Sequence, residues 1–214
     1  MYNILHVLTL REVDPKAFAA ELRTATSALL GLVGVLIEPT QPGVYNGGDI
    51  LLRLVFEDEI AAETALAAAE GDCLKALLAD ARVAHDDHVA FQGGLSGGAS
   101  DGAGLYRVAL FCANVVPDPQ RLLAFRDQTV SMAGHIRTIR RWQLSQTNLA
   151  AGARPWTHVW EQEYADIEGL NGAYMLHPVH WAHVERWFDT EYPEHLVDPV
   201  LVHTFCEFSE PVIV

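Results

Sequence analysis

No apolar run in this chain is long enough to cross a bilayer, cysteines number three in 214 residues, and basic side chains are half as numerous as acidic ones, 14 against 28. Each shortage excludes something. A transmembrane helix takes about 20 apolar residues, so the chain is expected to be a soluble globular protein, one large domain or two small ones. Cys73, Cys112 and Cys206 are odd in number and lack metal-ligand spacing, which argues for a reducing cytoplasm. The acid excess is spread: residues 1–100 carry 6 basic and 14 acidic side chains, residues 101–214 carry 8 and 14. Nucleic acid and anionic membrane surfaces both need concentrated Lys and Arg, so neither is an expected partner. The one basic knot, Arg137-Thr-Ile-Arg140-Arg141, reads as a solvated strand edge. The start, Met1-Tyr-Asn-Ile-Leu-His6, has no basic n-region and enters a strand pattern at once, so no signal peptide is expected.

Glycine and small residues concentrate in Gly93-Gly-Leu-Ser-Gly-Gly-Ala-Ser-Asp-Gly-Ala-Gly104. The run predicts a linker over 93–104 between a domain over 1–92 and a domain over 105–214. It is not a phosphate loop, because no Lys-Ser/Thr follows and no helical pattern opens after it. The flanking segments repeat one plan. Residues 6–10 and 107–111 read as strands, and Asp14-Pro15 and Asp118-Pro119 each open an amphipathic helix that Gly31 or Gly134 should stop. Strands follow over 33–37 and 136–144, then 50–56 and 157–164, then a helical segment and a last strand over 88–92 and 200–208. The order βαββαβ, twice, predicts an α+β fold of two tandem ferredoxin-like units. Each has a four-stranded antiparallel sheet with helices on one face, and packing the two open faces together can enclose a small ligand. Such pairing can form within the chain or between two copies, so a homodimer stays open.

Acid/base chemistry is densest in Tyr174-Met-Leu-His177-Pro178-Val-His180-Trp181-Ala-His183. Pro178 suits the first turn of a helix, where its missing N–H is no loss, so a helix is expected over 178–189. At 3.6 residues per turn His180, Trp181, Val184, Trp187 and Phe188 share the inward stripe, and His183 lies at its edge. The helix dipole disfavours imidazolium in the first turn, which keeps His180 neutral, as a general base needs. The bland alternatives are a buried, hydrogen-bonded His180 and a capping His177. A metal site is not expected here, because steps of three rotate successive residues by about 300° and His177 and His183 diverge on the cylinder.

The segment Trp156-Thr-His158-Val-Trp160-Glu-Gln162-Glu-Tyr164 alternates, with Trp156, His158, Trp160, Gln162 and Tyr164 on one face. An aromatic face with one histidine and one amide suits a mostly apolar ligand pocket, or equally a sheet core. Aligning the repeats puts Leu66, Ala69 and Asp72 at the places of Tyr174, His177 and His180. Any chemistry is therefore expected in the second half, with the first half supplying the other wall.

The strand Thr157-His158-Val159, the segment Tyr174-x-x-His177-Pro178-x-His180, the aromatic helix after it and the strand Val200-Leu-Val-His-Thr-Phe205 together resemble the stress-responsive A/B barrel (Dabb) family of the dimeric α/β barrel superfamily. The resemblance covers nearly all of 105–214 and, more faintly, 1–92. It is strongest to cyclase-type members, which close a linear polyketide by aldol condensation without a cofactor. It implies Tyr174 and His180 as catalytic residues, with His177 beside them and His158 in the cavity. Where those members have a cavity histidine on the first strand, this half has Arg107, and His6 takes the matching place in the first half. The implied activity is cofactor-independent proton transfer on a small, mostly apolar carbonyl compound, as in a cyclase, isomerase or lyase. His180 would be the base and Tyr174 the donor to the enolate oxygen, with Trp156, His158, Trp160, Tyr164, Arg107 and His6 holding the substrate. The alternative is a non-catalytic stress-responsive or ligand-binding barrel. Related barrels that use haem would instead put His180 or His203 on the iron.

Overall fold

The computed structural model of the chain describes residues 1–113 and 118–213. The first half runs β1 (Tyr2–Leu10), α1 (Pro15–Thr26), β2 (Leu32–Pro39), β3 (Ile50–Phe56), α2 (Glu59–Ala67), α3 (Ala69–Leu78) and β4 (Val83–Gln92), and a short β5 (Leu95–Gly98) follows. The second half runs β6 (Leu105–Phe111), α4 (Pro119–His135), β7 (Arg141–Gln146), β8 (Leu149–Ala151), β9 (His158–Tyr164), a π-helical turn (Gly169–Tyr174), α5 (Pro178–Phe188) and β10 (Val202–Glu207). Among the described residues no helix is long and apolar enough to cross a membrane.

Both Asp-Pro pairs start helices as their chemistry requires. Asp14 accepts from the amides of Lys16 and Ala17, and Asp118 from those of Gln120 and Arg121, with proline in the first turn of each helix. The glycine stops differ from expectation. α1 ends at Thr26, leaving Gly31 (φ +78°) to turn the chain into β2, whereas α4 passes through Gly134 to His135. Residues 136–140 then form a turn rather than a strand, with Ile136 and Ile139 buried against the helices, and β7 begins only at Arg141. Arg137 and Arg140 of the basic knot thus precede the strand instead of edging it.

Two five-stranded sheets result, in the orders β2-β3-β1-β4-β8 and β10-β6-β9-β7-β5. Without β5 and β8, each half is a βαββαβ unit with the same internal strand order. The two extra strands are exchanged. β5, continuing from β4, pairs with β7 so that Leu95 faces Leu144 and Gly98 faces Arg141. β8, continuing from β7, pairs with β4 so that Leu149 faces Ala90 and Ala151 faces His88. Part of the expected linker is therefore sheet. Gly98 (φ +81°) is held in the left-handed region, and a side chain there would collide with the carbonyl of Arg140. On the opposite side the loop after β2 meets β10: the amides of Tyr45 and His203 donate to each other's carbonyls, both at 2.8 Å. The barrel closes within one chain.

Three apolar cores follow from strand alternation. One lies between each sheet and its own helices, and a third lies between the sheets, built from Leu5, Val7, Leu51, Phe91, Val108, Val159 and their neighbours. The side chains of this third core are almost fully buried. It also holds Arg53, Glu161 and the C-terminal Val212 and Ile213, whose amides donate to Glu163 at 3.4 and 3.2 Å. Among the described residues, side chains occupy the space between the sheets, and the pocket that gathers the expected residues lies elsewhere.

Candidate functional site

A cavity of about 380 Å³ lies instead between the second sheet and helices α4 and α5. Its size falls in the range of small-molecule sites. β6 contributes Arg107, Ala109 and Phe111, β9 contributes Trp160, and β10 contributes His203. Phe125, Thr129 and Met132 of α4 and His180, His183 and Phe188 of α5 form the opposite wall, and Tyr174 closes one end. Among the described residues the first half supplies only Gly43 and Tyr45, so its share of the wall is smaller than expected.

Local sequence explains how the polar groups arrive there. The π turn delivers Tyr174 to the cavity, and Pro178 with a capping His177 starts α5 immediately afterwards. His180, two residues into that helix, is thereby set against Tyr174 with ring centroids 4.5 Å apart. Arg107 reaches over the same phenol, its guanidinium carbon 5.6 Å from the ring centroid, while Nη1 donates to Gln162 Oε1 at 2.8 Å. Tyr164 packs behind Tyr174 at 5.8 Å.

Burial, followed by the charge of Arg107, lowers the pKa of His180 to about 4, with His177 adding to the effect and a backbone hydrogen bond at Met175 opposing it. Burial, then Arg107 and His180, lowers His203 to about 2. His183 is lowered to about 3, again chiefly by burial, with His180 and Arg186 contributing. These rings are neutral near pH 7. Among the described residues, Arg107 Nε, Trp160 Nε1, His180 Nδ1, His183 Nδ1 and His203 Nε2 are buried without a hydrogen-bond partner, a concentration of unspent polar groups around one space. Within it the cavity offers one fixed cation and several neutral nitrogens on an otherwise aromatic and aliphatic surface.

The expected site residues separate into two sets. His180, Tyr174, Arg107 and Trp160 meet at the cavity. Tyr164 supports Tyr174 from behind. His177 does not line the space: its Nδ1 accepts from the Val179 amide at 3.2 Å, the capping role. His158 is buried on the correct face of β9 but is stacked on Phe111 with centroids 5.6 Å apart, and burial lowers it to about 4. Trp156 faces the other way, into the core between the sheets, where Nε1 donates to Asp87 at 3.0 Å. The strand begins only at His158, so the alternation does not extend back to Trp156. His6 lies in the first half, beside Asp86 and His88.

The stripe on α5 is also rotated from expectation. His180, His183 and Trp187 are its buried residues, whereas Trp181 is 54% exposed at the cavity mouth. His183 stacks on Phe125 and its Nε2 lies 3.2 Å from the Thr129 hydroxyl, so contacts with α4 decide the rotation. His203 entered the sequence reading only as a haem-ligand alternative. The alternation of β10 could have found it, since Val202 and Cys206 point between the sheets and His203 and Phe205 point to the helices.

The profile of the Stress responsive A/B Barrel Domain (Dabb) family matches residues 105–197. No curated protein matches the sequence. Among solved structures, an anthrone oxidase-like protein superposes with a TM-score of 0.72 over 98% of this chain and 91% of its own, at 8% identity. A candidate monooxygenase from Lactobacillus acidophilus NCFM gives 0.59 over 95% and 91%, at 12% identity. A mutant chlorite dismutase from Candidatus Nitrospira defluvii, in complex with cyanide, gives 0.54 over 97% and 90%, at 9% identity. At such identities the likeness is one of fold, and it extends over both halves.

Proposed function

We propose that the protein, whose residues 105–197 form a stress-responsive A/B barrel domain, is a cofactor-independent enzyme that removes a proton next to the carbonyl of a small, mostly apolar compound. The observation that carries this reading is the contact of His180 with Tyr174 beneath Arg107, inside a mostly apolar cavity. A neutral His180 accepts the proton at a ring nitrogen. Tyr174 donates to the carbonyl oxygen as charge develops there, and Arg107 supplies fixed positive potential that requires no reorganisation.

Magnitudes narrow the substrate. A histidine lowered to about 4 is a weak base, and its protonated form beside Arg107 is unfavourable unless an anion forms at the same moment. The enolate is that anion. Base and oxyanion are thus matched only for a C–H already acidified, between two carbonyls or in a hydroaromatic ketone. The anthrone named in one structural relative is a ketone of that kind. Cyclisation, isomerisation, carbon–carbon cleavage and oxygenation all diverge after the enolate, so the reading specifies the first step and leaves the cyclase, isomerase or lyase outcome to the substrate. Free cysteines at Cys73, Cys112 and Cys206 fit action in the cytoplasm.

The test is exchange of α-protons for deuterium in D₂O, followed by NMR over a panel of small 1,3-diketones and hydroaromatic ketones. Wild-type protein should accelerate exchange on at least one, and His180→Ala should reduce that acceleration by about 10²–10⁴-fold. Binding of such ketones without accelerated exchange would favour the non-catalytic, ligand-binding reading.

A further inference from the structure

The first half has its own space between sheet and helices, a cavity of about 460 Å³ under α2 and α3. Its contents differ from those of the second half. β1 and β4 pair with His6 directly opposite His88, and Asp86 stands two residues before His88 on the same strand. Strand periodicity puts all three side chains on the helix-facing side, because Leu5 and Val89 beside them point into the core between the sheets. Both imidazole Nδ1 atoms converge on one carboxylate oxygen: Asp86 Oδ2 is 2.9 Å from His6 Nδ1 and 3.3 Å from His88 Nδ1. The ligand atoms of the three residues all lie within 4.8 Å of one another.

These separations suit a shared ion. Ligands about 2.0–2.2 Å from a first-row metal lie about 3.0–3.5 Å from each other in tetrahedral or octahedral arrangements. The alternative is a network of hydrogen bonds, and it accounts for only one ring well. His6 Nδ1 is hydrogen-bonded to the carboxylate, but His88 Nδ1 is buried and, among the described residues, makes no hydrogen bond despite its proximity. A ring nitrogen this close to a carboxylate oxygen without a hydrogen bond between them is compatible with both groups facing a shared ion.

We propose that His6, Asp86 and His88 form a binding site for one divalent first-row transition-metal ion of the zinc type, with its remaining coordination positions open to the first-half cavity. Two imidazoles and one carboxylate favour such an ion over Mg²⁺ or Ca²⁺, which prefer all-oxygen ligands. His6 and His88 both line the cavity, and Glu59, Glu63 and Lys75 stand on its opposite wall, so a ligand reaching the ion would be small and polar at one end. The motif is invisible to sequence spacing because His6 and His88 are brought together only by the register of β1 on β4. It is separate from the His180 cavity and does not depend on the activity proposed there.

The experiment is titration of tag-free, chelator-treated protein with Zn²⁺ by calorimetry, and with Co²⁺ by visible absorption. One equivalent of each should bind, with mutual competition and no displacement by millimolar Mg²⁺. Asp86→Asn and the double variant His6→Gln/His88→Gln, verified as folded by circular dichroism, should each weaken Zn²⁺ binding by at least about 100-fold, more than the 10–100-fold lost when only an outer contact to a metal site is removed. His203→Gln, in the other half, should bind Zn²⁺ as the wild type does. The absence of a saturable equivalent, equal competition by Mg²⁺, or retention of the site in the folded double variant would each overturn the proposal.

Discussion

Arg53 of the first half and Glu161 of the second form an ion pair between the two sheets, Nε to Oε1 2.8 Å, with both side chains sealed from solvent. Glu161 also accepts from the Tyr106 hydroxyl at 2.6 Å and from Gln143 at 2.9 Å, and Arg53 donates to the carbonyl of Val212. Removing one member of such a pair leaves an uncompensated charge in the core. Arg53→Met should therefore cost about 3–5 kcal/mol in urea unfolding, and Arg53→Met/Glu161→Gln should recover much of the loss. A single variant within 1 kcal/mol of wild type would mean water reaches the pair.

The α5 histidines should separate in kinetics. On any substrate the protein turns over, His180→Ala and Tyr174→Phe should each reduce kcat by about 10²–10⁴-fold. His183 lines the same cavity but is tied to Thr129, so His183→Ala should raise KM by about tenfold and leave kcat nearly unchanged. Equal kcat losses for His180→Ala and His183→Ala would remove the distinction between base and wall.

The pH dependence follows from the lowered histidines. With His180 at about 4, kcat/KM should stay flat from pH 8 to about 5 and fall only near pH 4. An acid limb near 6.5 would show that His180 is not the base.

Stability should respond over a different window. His158, His180, His183 and His203 have folded-state values of about 4, 4, 3 and 2, below the unfolded value of about 6.5. Between those limits the unfolded chain binds more protons, so stability is complete above about pH 6.5 and is lost as pH falls toward 4, by on the order of 2–3 kcal/mol per ring. His88, raised by the adjacent Asp86 carboxylate, opposes this in sign, but it is one partly exposed group against four buried ones. Calorimetric melting temperatures between pH 7.5 and 4 measure the slope, and a flat profile would mean that water reaches these rings.

Helix α5 offers a paired stability test. Trp187 is buried and donates to Gln128 at 2.8 Å, so Trp187→Ala should cost about 3–5 kcal/mol. Pro178 is exposed at the first helical position, and Pro178→Ala should cost about 1 kcal/mol or less. The reverse order in a denaturant series would place the helix start elsewhere.

Proteolysis should distinguish the turn from the exchanged strand. Asp101 and Gly102 are exposed, whereas β5 just before them is held by β7. A nick at 101–102 should leave two fragments that copurify in native buffer and part only in denaturant. Separation in native buffer would contradict the shared core.

Much of the fold was legible in the sequence because its signals are local. Asp-Pro pairs cap the helices they precede, and alternation marks the strands. The position of the cavity was less legible, because β9 is buried on both sides and alternation alone does not tell which side meets helices and which meets the other sheet. His180 and Tyr174, which line the cavity, belong to one contiguous motif. His183 and Trp181 were exchanged because the rotation of α5 is decided by Phe125 and Thr129, more than fifty positions away in the chain. The same reason hid the convergence of His6 with His88.

The exchanged strands also bear on how the protein is made. β4 is finished early, but the strand that covers its edge, β8, is not synthesised until residues 149–151, and the partner of Arg53 comes later still. At about 5–20 residues per second, the first half spends several seconds outside the ribosome with an open sheet edge and a bare apolar face. Exposed surface of that kind is what holding chaperones bind. Translation that stalls between β5 and β8 should yield aggregate rather than a folded first half.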